Sequence, residues 1–578
     1  MHSTRTIPWT VLLGLWATAA APAQNPAPAD LVVVNGNVLT VDRRFRVLEA
    51  VAIRDGVFVL AGTNQQARKL VGPSTRVIDA GGQSVIPGLI DSHVHALGVA
   101  ASESRGAFRD LRSVAEIQDW IRQQAASAPE GRWLWSPRVY PTRVRERRFP
   151  TRAELDAAAP RHPVVIDGAY ALVVNTAALA AADIGASTQA PEGGAIVKDT
   201  EGQPTGLLRN VGRMLAKYQP PDEGETPSSV LEQVHRRYNQ VGITSVIERG
   251  AGLSGYRAYR RLQAEGRLRV RANVTLRVSS DGSVAGTEAF VRSLPLHFGE
   301  GDDWVRVGAL KIVADGGILA ATSFMREPYG LQAAELYGVD DPSYRGFLSL
   351  SPEKITNIIR TGHRLGWQMC SHVTGDGGVD AVLDAVEAAD ADRPIRDRRY
   401  TLIHAYFPNP AAARRAARLG VCVDTQPAWY YKDADALVTA LGEARLRPFI
   451  GLVEWLRAGV RVALNTDHMF GLDPNASLNP YNPFLTMYVA VTRKTEGGRV
   501  IGPEQAISRE QALRMMTVNA AYLSFDEAKK GSIEVGKLGD LAVLSDDFMS
   551  CPPERIKNIR VVATVIGGEV VHEAASLP

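Results

Sequence analysis

Four histidines, one aspartate and one lysine of this chain fall at the ends or in the middle of apolar segments, and such residues hold divalent metal ions. The stretch Val85-Ile-Pro-Gly-Leu-Ile-Asp-Ser-His-Val-His95 runs apolar and then ends on two histidines separated by one residue. Side chains alternate along a strand, so His93 and His95 share a face and can grip one ion through neutral imidazole nitrogens. Two more histidines end later apolar runs, in Trp367-Gln-Met-Cys-Ser-His372 and Thr401-Leu-Ile-His404, and Asp467 ends Val460-Arg-Val-Ala-Leu-Asn-Thr-Asp. Only 11 histidines occur in 578 residues, which makes four at predicted strand C-termini, in this order, hard to attribute to chance. Each has a duller explanation taken singly: His93 and His95 as a turn, His372 or His404 as a hydrogen-bonded core residue, Asp467 as a helix cap. Lys311 stands inside the apolar run Val307-Gly-Ala-Leu-Lys-Ile-Val. A buried ammonium must find a partner, for which Asp315 on the same face is one choice, or lose its proton. A neutral, desolvated lysine amine can also take up carbon dioxide as an anionic carbamate able to bridge two metals.

The elements that must position these residues read as alternating strands and helices, the mark of parallel βαβ units. Eight strands are expected at 84–95, 243–248, 268–279, 305–315, 367–373, 400–406, 420–426 and 460–467, with helices such as 352–365, 379–389 and 410–419 between them. This is the α/β class, a (β/α)8 barrel whose site lies at the strands' C-terminal ends. It is expected over residues 84–533. Residues 96–242 are too many for one crossover, so an inserted subdomain is expected after the first strand, at about 100–240. Its six arginines between 132 and 148 read as a solvated surface, with a pocket role for one of them left open. Residues 24–83 and 534–578 carry hairpin signals at Asn35-Gly36, Asp55-Gly56 and Gly567-Gly568, and they predict one small β-sandwich built from both termini.

Residues 1–23 read as a signal peptide: Arg5, an apolar run at 11–21, and the small-residue pattern Ala21-Pro22-Ala23 ahead of Gln24. An uncleaved anchor is the alternative. No later run is long enough to span a membrane, so a secreted or periplasmic soluble protein is expected. A formal charge of +3 gives no reason to expect nucleic acid. Cys370, Cys422 and Cys551, odd in number and far apart, make no disulfide framework and no close-paired structural zinc site. The expected partner is a small-molecule substrate, and a homo-oligomer is compatible with the sequence.

The order His-x-His, Lys, His, His, Asp resembles the amidohydrolase superfamily, most closely its amidohydrolase-3 branch around N-substituted formamide deformylase. Lys311-Ile-Val-Ala-Asp-Gly-Gly, Ser371-His-Val-Thr-Gly-Asp, Gln426-Pro427, Val174-Asn-Thr-Ala-Ala-Leu and Gly202-Gln-Pro-Thr-Gly-Leu-Leu support the resemblance. Three places depart from the branch: Ala169-Tyr170-Ala171 stands where Gly-His is usual, Leu-Ile-His404 where Ile-Glu-His is usual, and His468-Met-Phe-Gly where an Ala/Pro-rich turn is usual. The resemblance implies one metal on His93, His95 and Asp467, a second on His372 and His404, and carbamylated Lys311 between them. A single-zinc site with unmodified Lys311 is the structural alternative. Zinc suits imidazole-rich ligation, and Asp467 is the expected general base and proton donor. The implied reaction is hydrolysis of a C–N bond, of amide or N-substituted formamide type. A lactonase, esterase or deaminase would use the same metal set, whereas a non-catalytic exported binding protein would lack part of it. Trp429, Tyr430, Met469 and Phe470 point to an apolar or aromatic substrate.

Overall fold

The computed structural model describes residue 1, residues 27–219 and residues 228–574. The expected signal segment and its cleavage site lie outside the described residues. Eight parallel strands pair in sequence order: Leu89–Val94 (β1), Ile243–Ala251 (β2), Arg271–Arg277 (β3), Val305–Val313 (β4), Met369–Val373 (β5), Thr401–His404 (β6), Cys422–Thr425 (β7) and Val462–Leu464 (β8). The ring closes at its C-terminal mouth, where Val94 bridges His468 and the Asp467 amide donates to the His93 carbonyl at 2.9 Å. Buried Asp91 holds that seam by accepting from the Thr466 amide at 3.1 Å and its hydroxyl at 2.5 Å.

The helices between strands follow their caps. Ser351 caps Pro352–Arg364 and Asn409 caps Pro410–Leu419, each with proline where a helix needs no amide donor. Gly420 ends the second helix in the left-handed region, at φ +67°.

The expected strand at 84–95 is two strands serving two cores. Ser84–Pro87 pairs with Asn37–Leu39 and Leu541–Leu544 in a six-stranded outer sheet, and only from Leu89 does the chain enter the barrel. Gly88 makes the step between them, because a Cβ there would stand 2.2 Å from Thr244 Oγ1. The outer sheet and a four-stranded sheet, drawn from residues 31–79, share a buried core that includes Val33, Ile53, Phe58, Val85, Val543 and Val565. The expected turns at Asp55-Gly56 and Gly567-Gly568 sit in left-handed conformations. A buried ion pair, Arg271 Nε to Asp540 Oδ2 at 2.7 Å, ties this unit to the start of β3.

Between β1 and β2 the chain builds a five-stranded sheet from Leu134–Trp135, Val164–Asp167, Ala171–Val174, Ala195–Lys198 and Pro204–Arg209. It has its own apolar clusters, and its Val164–Asp167 and Ala171–Val174 hairpin reaches toward the barrel mouth. Among the described residues, no helix is long and apolar enough to cross a membrane.

Candidate metal centre

At the barrel mouth three electron-rich atoms converge. His93 Nε2 lies 3.2 Å from His95 Nε2, and Asp467 Oδ1 lies 3.3 Å from the first and 3.5 Å from the second. Burial holds the pKa of both imidazoles below the ordinary histidine value, so each ring is neutral and has one nitrogen lone pair to offer an ion. Two lone pairs and a carboxylate oxygen repel at such distances unless a cation sits among them. Ligands about 2.1 Å from a tetrahedral ion stand about 3.4 Å apart, which matches all three edges. Asp467 Oδ1 has no hydrogen-bond partner within the protein, although it is buried. Its other oxygen is tied down, accepting from Trp429 Nε1 at 3.1 Å and Gln426 Nε2 at 3.3 Å. The donor set therefore fits a divalent cation.

The other expected ligands line the same cavity, of about 670 Å³, but are engaged differently. His372 Nε2 pairs with the Gly316 carbonyl at 2.9 Å, and its Nδ1 lies 3.4 Å from the Tyr170 hydroxyl. Burial, with a smaller push from the Lys311 charge, takes its pKa down to about 3. His404 Nδ1 contacts Gln426 Nε2 and lies 3.4 Å from the Tyr406 hydroxyl. The His404 ring centroid stands 4.4 Å from that of His372 and 5.3 Å from that of His93. Lys311 Nζ approaches His93 Nε2 at 3.4 Å, and burial brings its pKa down to about 8. Its suggested partner Asp315 is occupied elsewhere, accepting the amides of Thr374 at 2.9 Å and Gly375 at 2.8 Å. Strand ends carry the backbone strain that such sites need: His404 and Asp467 hold φ of +80° and +50°, a region unusual for side chains with a Cβ.

The amidohydrolase family model matches residues 76–572. The chain belongs to the amidohydrolase family. It is 30% identical over 562 residues to N-substituted formamide deformylase of Arthrobacter pascens, covering 94% of this chain and 98% of that one. It is 28% identical to the putative amidohydrolase YtcJ of Bacillus subtilis (strain 168), over 91% of this chain and 96% of the other. Among solved structures, an uncharacterized metal-dependent hydrolase from Pyrococcus horikoshii OT3 superposes with a TM-score of 0.64 at 21% identity, covering 91% and 99% of the two chains. At that identity the likeness shows the barrel fold. This amidohydrolase is thus an enzyme, a hydrolase with a candidate metal site at its barrel mouth.

Two expectations about the pocket of this amidohydrolase need correction. Trp429, Met469 and Phe470 line the cavity, but Tyr430 does not. One residue is 100° of helix turn, so Tyr430 points from Pro427–Leu441 into the core, where its hydroxyl donates to the Arg493 and Ile501 carbonyls. The arginines between 132 and 148 are not all a solvated surface. Arg143 is largely buried against Asp433 at 2.7 Å, while Arg138 pairs with Asp167 at 3.0 Å and lines the cavity. Tyr140, Tyr170, Arg277 and Tyr406 also line it and were not singled out from sequence. Tyr170 had a signal, since it stands in the departure Ala169-Tyr170-Ala171. The others had none, because what aims them is the insertion's fold and the barrel's register.

Proposed function

We propose that this hydrolase cleaves a C–N bond, of amide or N-substituted formamide type, with water as the nucleophile. The observation that carries the reading is the trio His93, His95 and Asp467, closed around a carboxylate oxygen that has no protein partner. The full-length similarity to a formamide deformylase supports the choice of bond. Zinc, the ion suited to imidazole-rich ligation, lowers the pKa of bound water to about 7 and polarises a carbonyl. Asp467, its Oδ2 held by Trp429 and Gln426, would give one lone pair of Oδ1 to the ion, and the other would take a proton from the attacking water and later hand it to the leaving amine. The Tyr170 hydroxyl remains protonated, since burial raises its pKa, and it can donate a hydrogen bond to the oxygen that gains charge. Trp429, Met469 and Phe470 exclude water from the apolar part of the substrate.

One ion is the arrangement the geometry supports best, because among the described residues only His93, His95 and Asp467 bring three ligand atoms together. A separate observation favours a second ion held by His372 and His404. The Lys311 amine is buried, with a pKa near 8, which leaves a neutral fraction able to form the bridging carbamate. Metal stoichiometry with and without bicarbonate distinguishes the two arrangements. We further propose export through the N-terminal segment, checked by the intact mass of secreted or periplasmic protein. The reaction is tested by screening metal-loaded enzyme over N-acyl amines, formamides and lactones. Release of free amine from an amide is the expected result, and turnover of lactones alone would replace this reading with a lactonase.

A further inference from the structure

The walls of the cavity differ in chemistry across the barrel. In an eight-stranded ring, β3 and β7 are diametrically opposed. On the side of β7 and β8 lie Trp429, Met469 and Phe470, with Tyr140 edge-on to Trp429 at 5.5 Å between ring centroids. The β3 side is polar. Arg277 ends β3 in register with Lys311 on β4, so both side chains belong to the interior face, and Ser280 lines the wall just beyond.

Cations outnumber anions here. Arg138, Arg249, Arg277 and Lys311 line the cavity, and Asp467 is the carboxylate among the lining residues. Arg138 is neutralised by Asp167 at 3.0 Å and Arg249 by Asp424 at 2.8 Å. The side chain of Arg277, an exposed residue, has no hydrogen bond or ion pair among the described residues. A guanidinium offers a planar fork of donors matched to a carboxylate, and here it faces a cavity whose other cationic wall groups are mostly satisfied.

We propose that the substrate carries a carboxylate that pairs with Arg277 across the site from an apolar group held by Trp429, Met469 and Phe470. Resting on the C–N hydrolase reading, this makes the substrate class N-acylated or N-formylated amino acids with an apolar side chain. Arg277 then determines specificity and takes no part in bond cleavage.

The test uses the metal-loaded, full-length enzyme with N-formylphenylalanine of each hand and the uncharged N-formylphenethylamine. For the better hand of the acid, kcat/KM should exceed that for the uncharged compound by about tenfold, as one charge-assisted hydrogen bond gives. Arg277→Gln should collapse that ratio to near one, mainly through KM, with metal content unchanged. No preference for either acid, or a preference that survives Arg277→Gln, overturns the proposal. If no compound is hydrolysed, the reaction reading fails while the anchor is still measured by calorimetry with 3-phenylpropanoate and 3-phenylpropanamide. Arg277→Gln should weaken the acid about tenfold and the amide far less. Equal binding of the acid to both proteins would mean that the metal alone holds the carboxylate, and it too overturns the proposal.

Discussion

The seam between β1 and β8 supplies three of the expected ligands and the strands β5 and β6 supply two, and the fold treats the two groups differently. At the seam, His93, His95 and Asp467 face one another within 3.5 Å, and the carboxylate oxygen between them has no donor. On β5 and β6, His372 is paired with a carbonyl and His404 with Gln426. The first group is organised for a cation before one arrives. The second is not gathered around a common point: the Gly316 carbonyl orients His372 and leaves its Nδ1 facing Tyr170, while the Nδ1 of His404 is engaged by Gln426.

The comparison can be broken by substitution. Asp467→Asn should lower kcat by about 10³-fold or more and strip most of the metal, because it removes both a ligand and the proton carrier. Steady-state rates and elemental analysis of the same sample check this, and retained activity would place the chemistry elsewhere. Next in size is a contrast: His93→Asn should empty the site, whereas His372→Asn should leave one ion per chain bound. If His372→Asn loses all metal, the two regions are equivalent and the one-ion arrangement is wrong. Tyr170→Phe should reduce kcat about 10²-fold with little change in KM or metal content, the usual loss for a donor to developing negative charge. A change confined to KM would make Tyr170 a binding residue.

The last test reads stability, not turnover, and concerns Lys311 in the metal-free protein. Its proton leaves at about pH 8 when folded and at its ordinary value of 10.5 when unfolded. The unfolded chain therefore binds more protons between those values, and stability rises with pH across that window. Relative to Lys311→Met, the wild type should gain about 3 kcal/mol between pH 7.5 and 10.5 in denaturant titrations. A flat difference would mean that the amine is solvated.

Much of this could be read from local pattern. The eight strands were visible as apolar runs and the helices as the helical runs between them; the caps Ser351 and Asn409 that start two of those helices came with the structure. The strand at 84–95 misled because apolarity does not say which core a residue enters. Ser84–Pro87 and Leu89–Val94 are equally buried in two different sheets. Tyr430 misled because an aromatic next to pocket residues in sequence is turned away from them on a helix.

By itself the sequence determined the barrel and the identity of the metal-ligand candidates, since residue type and strand alternation are local properties that survive without knowledge of neighbours. The tertiary structure alone decided which candidates meet. His95 and Asp467 are hundreds of residues apart and come within 3.5 Å only because the ring closes between β1 and β8. It also decided that Tyr170 and Arg138 from the insertion share a cavity with Arg277 from β3. Closure and docking are long-range events, driven by burial of surfaces whose partners no local pattern names.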